Sequence, residues 1–189
     1  MAFADALKIL TKEDIIPAAA DRPVFRWAPA LVIIPTLLVF AVIPVGRGVI
    51  GADLNVGILY VVSVASVNVI AVLAATWSSG NKYSLVAAFR TVAQLVSYEV
   101  PMAFAILAVV MAAGSLSTVR IVEAQAVPFA IAMPVAAAIY FICALAEANR
   151  CPFDLLMGES EIVAGFNLEY SGMRFAMFYI AEYAHVFII

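Results

Sequence analysis

VGILYVVSVASVNVIAVLAATW, residues 56–77, runs without a charged side chain. Its polar interruptions are Ser63, Ser66, Asn68 and Thr76. About 20 apolar residues in an α-helix cross the hydrocarbon core of a bilayer, and this stretch reads as one crossing. Four more runs lie around it. Residues 28–45 are short and carry Pro29, Pro35 and Pro44, which bend a helix by removing backbone donors. Residues 92–114, 127–146 and 173–189 complete the set. Lipid cannot satisfy exposed backbone groups, so an open sheet is excluded. The expected fold is a single all-α membrane domain over 1–189. It is a polytopic bundle of about five transmembrane helices, some bent or proline-containing, with a long acidic inner loop.

The composition agrees. The 189 residues are 66% hydrophobic and 12% charged, with a mean hydropathy of +1.09. A soluble domain is about half apolar and about a quarter charged. Two cysteines, Cys143 and Cys151, and one histidine cannot build an ordinary structural zinc site or a four-thiolate iron–sulfur cluster. So few cysteines also make no disulfide framework. No basic run points to nucleic acid. The start, MAFADALKILTKED, does not read as a signal peptide, because no basic start precedes an apolar core.

Eight of the ten Lys and Arg fall on one side of this topology: Lys8, Lys12, Arg22, Arg26, Lys82, Arg90, Arg150 and Arg174. Arg47 and Arg120 fall on the other. The positive-inside rule puts the eight in the cytoplasm or an organelle matrix. Phe3, Ala6, Leu7 and Leu10 recur at i, i+3, i+4 and i+7. Residues 2–10 thus read as an amphipathic helix along the inner interface, or as a solvated helix packed on a neighbour.

The inner segment 146–172 gathers Glu147, Asp154, Glu159, Glu161 and Glu169 against one base, Arg150. Clustered carboxylates titrate as a group. Ile162, Val163, Phe166 and Pro152-Phe153 suggest a half-buried loop rather than a solvated one. Glu99 lies within the third run, where an ionised side chain costs about 2.5–3.5 kcal/mol on insertion scales. It reads as a proton-relay carboxyl or as a structural acid bonded to a neighbour. Glu147 and Arg150 share a face if their helix continues. Glu182 and His185 are likewise three apart in the last run, as a proton-passing pair or as polar glue between helices. GRGVIG, residues 46–51, matches a dinucleotide-binding pattern but lacks the strand and helix that pattern requires, so it reads as a turn.

Several segments closely resemble one family: ADALKILTKEDIIP (4–17), ADLNVGILY (52–60), WSSGNKYSLVAAFRTVAQLVSYEVPM (77–102), AEANRCPFD (146–154), ESEIVAGF (159–166) and EYSGMRFAMFYIAEYA (169–184). The chain resembles the H subunit of proton-pumping NADH:quinone oxidoreductase, respiratory complex I, called subunit 1 in mitochondria. The resemblance implies eight membrane helices in the whole subunit, of which this chain matches the second to sixth, as a fragment would.

It also implies a role in the quinone chamber and in the first part of an acidic proton path. Glu99, Glu147, Glu159, Glu161, Glu169 and Glu182 become candidates for the path. Arg150, Phe153, Asp154 and Arg174 become candidates for the chamber. Quinone is then a substrate. NADH, FMN and iron–sulfur clusters belong to partner subunits, and this chain has no redox centre, catalytic residue or metal of its own. The partners are other membrane and peripheral subunits and the lipid bilayer, with no nucleic acid. The location is a bacterial cytoplasmic or mitochondrial inner membrane. Two departures stand out: DLLMGESE has Leu156 and Met157 where the family has Pro and Glu, and His185 stands where Asn is common. The rival readings are a membrane anchor of an energy-converting hydrogenase or another donor:quinone dehydrogenase, a passive scaffold, and a free-standing carrier.

Overall fold

The computed structural model describes residues 2–46, 49–153 and 165–188, with side chains from Leu7 onward. Asp154, Glu159 and Glu161 lie outside the described residues. Among the described residues eight helices follow in order: α1 (Ala2–Thr11), α2 (Arg22–Phe40), α3 (Gly57–Ser79), α4 (Lys82–Ala113), α5 (Thr118–Glu123), α6 (Phe129–Ala132), α7 (Pro134–Glu147) and α8 (Gly172–Ile188). Among the described residues the only bridge pairing is the Gly46–Val49 turn, which lies in the GRGVIG segment. α2, α3 and α4 are long and apolar enough to cross a membrane, and α7 is a shorter apolar helix. The protein is an all-helical polytopic membrane bundle.

Neighbours along the chain pack in space as α8–α2–α3–α4–α7, and α1 lies against α8. Alanines at 28, 71, 75 and 88 are buried where these helices meet. Small side chains let membrane helices approach closely, which replaces the hydrophobic drive that lipid removes. Large apolar side chains such as Leu37, Ile70, Phe104 and Ile139 point outward, as lipid-facing positions do.

The end of the bundle where α2 begins and α3 ends is aromatic. Phe25 stacks on Tyr170 at 4.1 Å, and Phe178 meets both Tyr170 and Phe166 edge-on. The Tyr170 hydroxyl donates to Ala75 O at 3.0 Å and lies 3.2 Å from Ser78 Oγ. Burial pushes its phenol up to about 12, so it remains a donor at ordinary pH.

Local chemistry sets the boundaries. α4 starts at Lys82, ten residues before the hydropathy run, because Asn81 caps it by accepting from Tyr83 N at 2.9 Å. At 1.5 Å per residue, the 32 residues of α4 span roughly 48 Å, longer than a bilayer core of about 30 Å. Gly80 turns α3 into α4 at φ +67°, and a Cβ there would lie 2.7 Å from Ala19 O. The run at 127–146 is broken into α6 and α7 at Met133 (φ −130°, ψ 69°). Pro134 excludes the α conformation from the residue before it.

Candidate functional site

Glu99 stands on α4 two residues before Pro101. Ser66 on α3 donates to Glu99 Oε1 through a short hydrogen bond. Glu99 and Glu147 both line a small cavity with Ala65, Asn68, Val69 and Leu95. Glu147 is the last residue of α7 and borders two further cavities. One is lined by Asn149, Glu182 and His185, among others. The other also reaches His185 and includes Tyr140. The structure therefore brings Glu99, Glu147, Glu182 and His185 around three cavities, each of which Glu147 lines.

The helical face expected for Glu147 and Arg150 does not form, because α7 ends at Glu147. Asn149 adopts φ +50°, and Arg150 N bonds back to Leu145 O at 3.1 Å. That turn sends Arg150 to α8 instead. It lies 3.6 Å from Glu182 Oε1 and 4.6 Å from the centre of the Tyr183 ring. His185 Nε2 lies 3.0 Å from Thr36 Oγ1 and 3.3 Å from Asn68 Nδ2. Glu182 and His185 thus face one cavity while gripping different helices.

The other candidates sit elsewhere. Glu169 accepts from Asn81 Nδ2 at 2.6 Å, at the α3–α4 turn. Arg174 pairs with Asp14 at 2.8 Å, and its guanidinium lies 5.5 Å from the Phe25 ring centre. Ser171 Oγ donates to Glu13 O and accepts from Ile15 N, each at 3.0 Å. Together these contacts clamp the segment after α1 to the start of α8. Phe153 meets Tyr98 edge-on at 5.1 Å.

Three residues that sequence reasoning passed over matter here. Gln94, buried on α4, donates from Nε2 to Ala146 O at 2.8 Å and to Phe153 O at 3.0 Å. It holds the turn that carries Glu147 and Arg150. Thr36 and Asn68 hold His185. A polar side chain within an apolar run was the available signal, since such groups are costly in lipid. Among the described residues no three His, Cys, Asp or Glu are grouped to hold a metal ion.

A family model described as NADH dehydrogenase matches residues 1–189. The chain is 56% identical to the H subunit of an NADH-quinone oxidoreductase from Dehalococcoides mccartyi (strain CBDB1), over 97% of this chain and 52% of the relative. It is 47% identical to the protein of that name from Chlorobaculum tepidum, over 99% of this chain and 55% of the relative. For Rhodospirillum centenum the figures are 48%, 99% and 56%. The chain spans about half the length of the curated relatives it matches.

Proposed function

The chain belongs to the NADH dehydrogenase family, and we propose that it serves as a membrane subunit of an NADH:quinone oxidoreductase. In this reading the whole chain is one membrane domain with five crossings, its acidic segment facing the cytoplasm or matrix. It helps to form the quinone chamber and couples quinone reduction to proton translocation. NADH, FMN and iron–sulfur clusters are held by partner subunits. The names of the relatives favour this quinone-linked reading over a hydrogenase anchor.

The observation that carries the proposal is Glu147. It borders one cavity with Glu99 and another with Glu182 and His185. A passive scaffold has no use for three acids at that depth, each of which opposes insertion. Arg150 at Glu182, and Phe153 at Tyr98, supply a cation and an aromatic ring for the chamber side of the acids. Asp154, Glu159 and Glu161 extend the path on the loop side, with Glu169 and Arg174 anchoring that loop and the segment after α1.

The mechanism is electrostatic. Adding electrons and protons to a quinone near Arg150 changes the local charge. Glu182 feels that change through its ion pair, and the coupled carboxyls Glu147 and Glu99 redistribute protons in response. Glu99→Gln tests this in the assembled complex, because it keeps the shape and the Ser66 contact but removes the charge. Quinone-linked NADH oxidation should fall sharply, while NADH:ferricyanide activity, which stays in the soluble arm, persists. Normal turnover with normal pumping in this variant rejects the proposal.

A further inference from the structure

We infer that His185 is a proton-carrying junction between the two larger cavities that Glu147 borders, an inference that rests on the function proposed above. His185 on α8 lines both cavities, as Glu147 on α7 does. The titratable and charged groups around it are Glu182 on its own helix, Glu147 and Tyr140 on α7, and Arg150 held at Glu182. Glu99 on α4 lies one small cavity further, beyond Asn68 and Glu147. From α2 and α3 the ring meets Thr36 and Asn68, which do not titrate.

Two hydrogen-bond arrangements fit the distances around Nε2. With Nε2 bare, the Thr36 hydroxyl and the Asn68 amide both donate to it. Asn68 Oδ1 then stays buried without a partner among the described residues. With Nε2 protonated, its N–H is donated to Thr36 Oγ1, and Thr36 turns its own proton to Val32 O at 3.1 Å. An Asn68 amide turned the other way presents Oδ1 to the ring and leaves Nδ2 in the unpartnered position.

A hydroxyl rotation and an amide flip therefore accommodate either state while the ring stays in place. Nε2 can therefore gain or lose a proton and keep Thr36 as its partner. In the transfer, an O–H bond of a carboxyl on one side breaks as an N–H bond forms on the imidazole. The cation then releases a proton to an acceptor on the other side, and the ring ends neutral. No electron moves.

The test uses the assembled complex, with this chain at full length. In it, His185→Gln keeps hydrogen-bonding capacity but cannot carry the proton. Quinone-linked pumping should fall by about a hundredfold, the low end for a positioned proton-transfer group, with assembly and NADH:ferricyanide activity retained. An assembled His185→Gln complex with wild-type pumping, turnover and pH profile overturns the inference. If that variant does not assemble, Thr36→Val decides, because it leaves the ring and removes the hydroxyl that serves both arrangements. A displaced pH profile of pumping supports the junction, and an unchanged profile overturns it. A wild-type complex without quinone-linked oxidation removes the functional reading and this inference with it. A normal wild type beside an indifferent His185→Gln removes the inference alone.

Discussion

Replacing Gln94 with Leu tests how the Glu147–Phe153 turn is held. The side chain is buried and donates to Ala146 O at 2.8 Å and Phe153 O at 3.0 Å. Leucine has similar bulk and no donor. Ala146 O keeps a longer contact from Asn149 N at 3.3 Å, and Phe153 O loses the amide. Each buried carbonyl left without a donor costs about 1–3 kcal/mol. Removing Gln94 Oε1, which has no partner among the described residues, offsets part of that. The net expectation is about 2 kcal/mol, or roughly a thirtyfold shift toward the released turn. Hydrogen exchange on the assembled complex reads this directly. The Ala148, Arg150 and Phe153 amides, bonded at 2.9, 3.1 and 2.7 Å, should exchange about thirtyfold faster. Quinone-linked turnover should fall with them, because Glu147 and Arg150 lose their settings. Unchanged exchange in this turn, or an equal rise across all of α4 and α7, would refute the reasoning.

Gly80→Ala should lower the thermal midpoint of the complex by several degrees, since φ +67° and the 2.7 Å approach to Ala19 O both oppose a Cβ. Arg150→Gln should leave Glu182 without its 3.6 Å cation and depress quinone-linked oxidation more than Arg150→Lys does, as steady-state assays would show. Cys151 is exposed, so an impermeant thiol reagent should label it from the cytoplasmic or matrix face and not from the other. Because the phenol of Tyr170 is raised from 10 to about 12, its favourable burial is intact below pH 10 and is lost as pH climbs to about 12. Tyr170→Phe should flatten that alkaline limb in a melt-versus-pH series while lowering stability at neutral pH.

The bundle was legible because residues 56–77 and their companions are longer and more apolar than the ordinary soluble helix of about 11–12 residues. Boundaries were less so. Hydropathy tracks lipid, whereas α4 starts where Asn81 supplies a cap, outside the apolar run. Pro134 was visible in 127–146, but the break depends on Met133 leaving the helical conformation. At the site, Glu99 was legible because a charge in an apolar run is costly. The partner of Arg150 was not legible, because the condition for a shared face with Glu147, a continuing helix, fails at the left-handed Asn149, which turns the chain from α7 toward α8. Gln94 carried no reading, Asn68 was seen only as an interruption, and Thr36 again carried no reading. Their partners lie 52, 117 and 149 positions away, beyond what periodicity can report.

Asn81 divides one amide between two tasks: its oxygen caps α4, and its nitrogen holds Glu169 at 2.6 Å. Such an amide cannot rotate without failing at both. The division also imposes an order in time. As the chain emerges from the ribosome, α3 and α4 are made before residue 169. Until then the cap alone holds the amide of Asn81. Arrival of Glu169 fixes that orientation and sets a carboxylate near the positive end of α4's dipole. The last-made loop thus finishes a joint that the early hairpin began, and a chain cut before it leaves the hairpin inserted but unlatched.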